Sequence, residues 1–277
     1  MSTSLHFLVA TDFSPRAYHA FRYAVRLARY FKAHVTLLHA YHIPIVASSN
    51  EIAIQEGMHE SIERDAQTKL NEWLQEVVEE EVPCEVVNEM GFAVDTIKKF
   101  TQTYPVDLLI MGARGGGDMD RLLGSTSTAM MRQTEIPMLL VPEESDFKGL
   151  YNIAFASDYK QIEENESTQL LKQIASKFNS EVHILAVKKK EEDLSNQKVQ
   201  MTRQLEGFFQ NIRHAFYIEE NEQVEDGIQA FVNNNNIDLL VMQPHKQNFW
   251  ERLFIKSITK RMTFKTEVPI FILQESK

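Results

Sequence analysis

The chain has 277 residues, 43% of them hydrophobic and 25% charged, a composition typical of a globular protein long enough for two domains. Its formal net charge of -10 disfavours nonspecific binding to nucleic acid or to an anionic membrane surface. Cys84 has no second cysteine to pair with, and the sequence shows neither a signal peptide nor the roughly 20 apolar residues of a membrane helix, so we expect a cytoplasmic protein.

Short apolar runs alternate with segments of helical periodicity along the first half of the chain. Ser14 followed by Pro15 is a helix-start signal, and Tyr104 before Pro105 predicts a helix end, since proline disfavours the helical conformation of the preceding residue. The predicted strands cover residues 5–10, 35–40, 85–88, 106–111 and 137–141, and the predicted helices cover 16–31, about 51–80, 92–103 and 125–133. This alternation predicts a doubly wound α/β fold, in which helices cover both faces of a parallel sheet.

Glycines cluster directly after the fourth predicted strand. Residues 112–117 contain four of the chain's ten glycines, and Gly124 precedes Ser125 and Thr126, which are good N-cap residues for the next helix. A helix start offers unpaired backbone N–H groups and the positive end of the helix dipole. The segment therefore predicts a site for an anion such as phosphate.

Two common phosphate-binding motifs do not fit this segment. A P-loop needs Gly-Lys followed by Ser or Thr, whereas Gly117 is followed by Asp118 and Met119. The dinucleotide fingerprint needs a third glycine where Asp120 stands. Both motifs are therefore excluded.

The segment instead resembles the nucleotide motif of the universal stress protein family, Gly-x2-Gly-x9-Gly-Ser/Thr after the fourth strand. Gly112-x2-Gly115 and Gly124-Ser125 match it, although eight residues rather than nine separate Gly115 from Gly124. The resemblance implies a five-stranded sheet of order 3-2-1-4-5. Strands 1 and 4 are then neighbours where the winding reverses, which is the usual ligand crevice of such sheets.

The resemblance also implies a ligand, which is ATP, ADP or AMP, with or without Mg²⁺. Asp12 would lie against the nucleoside, the Ala40 backbone would touch adenine, and residues 112–126 would hold the ribose and phosphates. Asp12 also has a structural interpretation, as a turn residue that binds the neighbouring backbone. The implied binding residues are Ala10, Thr11, Asp12, Ala40, Met111, Gly112, Arg114, Gly115, Gly124, Ser125 and Thr126.

The second half of the sequence repeats the first. Residues 237–242, Ile-Asp-Leu-Leu-Val-Met, parallel residues 106–111, Val-Asp-Leu-Leu-Ile-Met, and residues 266–270 parallel 134–138. We expect two tandem domains, 1–145 and 146–277, that pack as a pseudo-twofold dimer through strands 137–141 and 269–273. The glycine motif is degenerate in the second copy, where its three glycines are replaced by Gln243, Lys246 and Lys256.

Two functions remain open on the sequence. The first is a stress-response regulatory protein that binds an adenine nucleotide in domain 1 and acts through an unknown protein partner. The alternative is an interaction scaffold of the same fold that binds no nucleotide. We expect no enzyme, since slow ATP hydrolysis would need a general base or a metal-binding carboxylate pair, and neither is identifiable. We expect no metal at His39 and His42 and either a pseudo-dimeric monomer or a homodimer.

Overall fold

The computed structural model describes residues 4–43, 52–113, 125–157, 162–188, 195–243 and 267–274. The first half contains β1 (His6–Thr11), α1 (Pro15–Phe31), β2 (His34–Tyr41), α2 (Ile52–Glu76), β3 (Cys84–Met90), α3 (Ala93–Thr103), β4 (Leu108–Ala113), α4 (Ser125–Gln133) and β5 (Met138–Pro142). The second half contains β6 (Asn152–Ala156), α5 (Glu166–Lys177), β7 (Glu181–Lys188), α6 (Ser195–Phe208), β8 (Arg213–Glu220), α7 (Val224–Asn234), β9 (Leu239–Met242) and β10 (Ile270–Ile272).

Helix α1 begins where the sequence predicts. The Ser14 side chain accepts a hydrogen bond from the Ala17 N–H at 3.4 Å, and Pro15 occupies the first turn, where its missing N–H has no cost. Lys32 takes a left-handed conformation that ends the helix. The helix lays one apolar face on the sheet, and Phe21 and Val25 are fully buried there.

Helix α2 is shorter than predicted. It ends at Glu76 rather than near Glu80, and Val78–Glu80 forms a separate 3₁₀ turn. The β-branched Val77 and Val78 disfavour a continued α-helix, and Glu81 adopts a left-handed conformation, with φ of 56°, before Pro83 leads into β3. The prediction of one continuous helix to residue 80 is therefore wrong in its last turn.

The described strands form one ten-stranded sheet of order β3-β2-β1-β4-β5-β10-β9-β6-β7-β8. Each half contributes five strands in the predicted order 3-2-1-4-5, and neighbours within a half run parallel. The halves meet where β5 and β10 pair antiparallel, with Leu139 opposite Phe271. This pairing confirms the predicted doubly wound fold and the predicted meeting of the two fifth strands.

Helices cover both faces of this sheet, and each face carries one apolar core. One core contains residues of α1, α2, α5 and α6, and the other contains residues of α3, α4 and α7. Both cores cross from the first half into the second. A boundary between domains at residue 145 therefore stays a prediction.

Candidate functional site

A cavity of about 240 Å³ lies at the carboxyl ends of β1, β2 and β4. Eight of the eleven predicted binding residues line it, and these are Ala10, Thr11, Asp12, Ala40, Met111, Gly112, Ser125 and Thr126. The other three, Arg114, Gly115 and Gly124, lie outside the described residues. The structure thus brings together every predicted binding residue that it describes.

Three helices begin at this cavity. Arg16 and Ala17 belong to the first turn of α1, Ala93 is the first residue of α3, and Ser125 is the first residue of α4. Each helix start carries a partial positive charge. The first backbone N–H groups of α3 and α4 have no partner within the helix, whereas in α1 Pro15 has no N–H and the Ala17 N–H donates to Ser14. The arrangement favours an anionic ligand.

Gly112 is required by packing. A β-carbon at this position would lie 2.8 Å from the Arg16 carbonyl oxygen and 3.1 Å from the Ala17 nitrogen. Glycine therefore lets β4 run directly against the first turn of α1. The glycine that the motif assigns to the ligand also sets the position of one of the three helix starts.

Asp12 is bonded within its own loop. Its Oδ1 accepts hydrogen bonds from the Ser14 N–H at 3.0 Å and from the Ser14 hydroxyl, and its Oδ2 accepts one from Arg16 Nη2 at 3.1 Å. Partial burial raises the pKa of this carboxyl, but the bonds from Ser14 and Arg16 outweigh burial and hold the pKa below its usual value. Asp12 is therefore a carboxylate anion, and these contacts fit its structural interpretation as a turn residue.

The loop after β1 is held in an unusual conformation. Phe13 has a φ of 60°, which is rare for a bulky side chain, and its N–H donates to the Thr11 hydroxyl at 3.0 Å. Its ring lies 4.2 Å from that of His39, whose Nδ1 lies 2.9 Å from the Thr11 carbonyl oxygen and so carries the proton. Burial lowers the pKa of His39 and favours its neutral form. Side-chain contacts therefore fix the loop before any ligand binds.

Sequence reasoning missed six residues that line the cavity, which are Arg16, Ala17, Leu38, Ala93, Ile97 and Ser127. Some of them had a usable signal. Leu38 stands two residues before Ala40 and so shares its face of β2. Arg16 follows Asp12 by four residues, a spacing typical of ion pairs. Ala93 and Ile97 come from a helix that the motif does not mention.

No group of three or more His, Cys, Asp or Glu side chains in the described ranges could hold a metal ion. At the two histidines where we expect no metal, Nδ1 of His39 contacts the Thr11 carbonyl oxygen, and the His42 ring stacks on Phe92 at 5.6 Å. Within the same ranges, no helix is both long and apolar enough to cross a membrane.

The matching place in the second half is built differently. Gln243 follows β9 at the position of Gly112 and is 8% exposed, so its side chain is buried there. Helix α5 begins with a reciprocal cap, in which the Asn165 side chain accepts from the Thr168 N–H at 3.0 Å and Thr168 accepts from the Asn165 N–H at 2.9 Å. This cap occupies N–H groups that an anion would need. Lys246 and Lys256 lie outside the described residues.

Comparison with known proteins gives consistent results. Residues 4–142 match the model of the universal stress protein family, which is half of the chain. The universal stress protein A homolog 1 of Coxiella burnetii is 27% identical over 139 residues, covering 49% of this chain and 94% of the relative. A universal stress protein of Helicobacter pylori is 26% identical over 138 residues, covering 49% and 98%.

Solved structures extend the similarity of fold to the whole chain. A universal stress protein from Archaeoglobus fulgidus DSM 4304 superposes with a TM-score of 0.76 at 17% identity, covering 99% of this chain and 100% of that one. A putative universal stress protein from Pseudomonas aeruginosa UCBPP-PA14 gives 0.61 at 14% identity, covering 98% and 93%. With the matching sequence model and the ten-stranded sheet, these results lead to one conclusion: the chain belongs to the universal stress protein family.

Proposed function

We propose that the chain is a stress-response regulatory protein that binds ATP, or ADP or AMP, in the cavity of its first half. The observation that carries the proposal is the convergence of three helix starts on a cavity lined by eight of the eleven predicted binding residues. The family supplies the link to stress. Occupancy of the cavity would be sensed by a protein partner that is still to be identified.

The lining of the cavity suits the two parts of a nucleotide. Ala10, Leu38, Ala40, Ile97 and Met111 supply apolar surface against which a base can lie. Residues 125–127 supply three hydroxyl groups and the first N–H groups of α4, which are donors for phosphate oxygens. A ligand with a flat apolar end and an anionic end satisfies both regions.

Isothermal titration calorimetry with ATP and Mg²⁺ tests the proposal. We expect one site per chain, because the buried side chain of Gln243 stands in the second half where Gly112 stands in the first. Ala10→Leu should abolish binding, since Ala10 lines the cavity and a larger side chain would take space that the base needs. Ala156→Leu is the matched control, because Ala156 ends β6 as Ala10 lies near the end of β1, and both pack partly against the same core.

The outcomes separate the two functions left open by the sequence. Loss of binding in Ala10→Leu alone supports the first-half cavity, whereas loss in Ala156→Leu alone would move the site to the second half. If ATP gives no heat of binding with the wild-type chain, and the denatured chain releases no nucleotide, the proposal is contradicted. The interaction scaffold would then be the better description.

A further inference from the structure

The described lining of the cavity contains two charged side chains, Asp12 and Arg16. They form an ion pair, with Arg16 Nη2 lying 3.1 Å from Asp12 Oδ2. The Asp12 side chain is 60% exposed and that of Arg16 is 32% exposed, so the cation is the more enclosed partner. A ligand in the cavity therefore lies beside this ion pair.

Asp12 is poorly suited to contact a phosphate. It is an anion, and like charges in a partly enclosed cavity repel each other. Both of its oxygens already accept hydrogen bonds from Ser14 or Arg16. A phosphate group near this carboxylate therefore needs a compensating positive charge.

Arg16 can supply that charge. A guanidinium group has five N–H donors, and the hydrogen bond described for Arg16 uses one of its nitrogen atoms, Nη2. The bond to Asp12 restrains the side chain, while the remaining donors can bind phosphate oxygens in the paired geometry that arginine favours. The backbone of Arg16 is also fixed, because it packs directly against Gly112.

We propose that Arg16, restrained by Asp12, recognises the phosphate groups of the ligand and makes the cavity selective for charged nucleotides over uncharged nucleosides. This inference rests on the proposed function, since it names the residue that recognises one part of the proposed ligand. Helix starts attract an anion through partial charges, whereas Arg16 contributes a full charge at a defined place. Adenosine has no group that needs this charge.

The test is calorimetric titration of the full chain with ATP and, separately, with adenosine. Arg16→Gln removes the charge and keeps similar length, and we expect it to weaken ATP binding about tenfold or more, as for loss of a charged hydrogen bond. Adenosine binding should change by less than about twofold under the same reasoning. Arg16→Lys keeps the charge but not the paired geometry, so its ATP affinity should fall between those of the wild type and Arg16→Gln.

Arg22→Gln is the matched control, since Arg22 lies on the same helix and lines a different surface pocket. It should leave both ligands unaffected, and thermal unfolding of each variant separates a folding defect from a binding defect. Equal weakening of ATP and adenosine by Arg16→Gln, or no weakening of ATP, would overturn the inference while leaving the proposed function standing. A wild-type chain that binds neither ligand would overturn both.

Discussion

At the residue scale, the internal repeat contains, in each half, an aspartate that accepts hydrogen bonds from backbone N–H groups at the start of the first strand of that half. Asp107 Oδ2 accepts a hydrogen bond from the His6 N–H at 2.7 Å. In the second half, Asp238 Oδ2 accepts from the N–H groups of Tyr151 and Asn152 at 2.9 and 2.8 Å. The repeated Asp-Leu-Leu sequence of the two halves thus has a structural cause that is independent of any ligand.

These contacts predict an order of stability. Asp107→Ala should lower the free energy of unfolding by about 1 kcal/mol, and Asp238→Ala should lower it by more, because it loses two hydrogen bonds. Urea denaturation measures both. Asp146→Ala is the control, since its ion pair with Arg26 is long, at 3.6 Å, and exposed. An equal loss in all three variants would contradict a specific role for the two repeated aspartates.

Gly112 gives a second prediction at this scale. Gly112→Ala places a methyl group 2.8 Å from the Arg16 carbonyl oxygen, so α1 must shift, and we expect a loss of about 1–3 kcal/mol in unfolding free energy together with weaker ATP binding. Gly207→Ala, in α6, meets nothing within 4 Å and should leave stability unchanged or raise it by up to about 1 kcal/mol. The same loss in both variants would rule out a steric role for Gly112.

At the element scale, periodicity predicted the order of strands and helices, but not their ends. The sequence predicts the fourth strand at residues 106–111, whereas the strand lies at Leu108–Ala113. It begins later because the residues before it contact His6: the Asp107 side chain accepts from the His6 N–H, and the Pro105 carbonyl oxygen contacts the His6 ring. The bond from His6 to Asp107 joins residues 101 positions apart and cannot be read from a local window. Local sequence patterns also could not identify Ala93 and Ile97 as cavity residues, because they reach the cavity only when α3 packs on the sheet.

Strands β1, β2 and β7 also carry fully or partly buried histidines whose protonation opposes folding. Burial is the main cause that lowers the pKa values of His6, His39 and His183 in the folded chain. The unfolded chain, with histidine pKa values of about 6.5, therefore binds more protons as the pH falls through that region. Stability should be complete above this pH and should decline as the pH falls below it.

His183 offers the clearest test, because among the described contacts neither of its ring nitrogens has a hydrogen-bond partner. Its ring stacks on that of Tyr217 at 5.2 Å, so phenylalanine should fit in its place. We expect His183→Phe to show a smaller fall in melting temperature than the wild type between pH 7.5 and 5.5. His42→Gln, at an exposed position, should show the wild-type fall. An unchanged fall in His183→Phe would exclude this histidine as a source of acid sensitivity.

At the scale of the whole molecule, the second half stabilises the first although it lacks the glycine motif. β10 covers the edge of β5, which would otherwise expose an apolar strand. Phe147, between the halves, lies 5.0 Å from Tyr23 of α1 and 6.0 Å from Phe178 at the end of α5. Helix α1, one of the three helices that begin at the cavity, is thus linked to the second half through Phe147.

This continuity predicts that the halves unfold together. Phe271 is fully buried in β10 and shares a core with Phe7 and Val9 of β1, so Phe271→Ala should cost about 3–5 kcal/mol. Trp73 packs among Phe13, Tyr18 and Phe21 in the first half, and in a Trp250→Phe background its fluorescence reports on that half alone. We expect Phe271→Ala to move the urea midpoint of Trp73 fluorescence and of circular dichroism by the same amount. An unmoved fluorescence midpoint, with a second transition in circular dichroism, would show that the first half keeps its fold when the second unfolds. The shared cores would then be too weak to make the two halves unfold together.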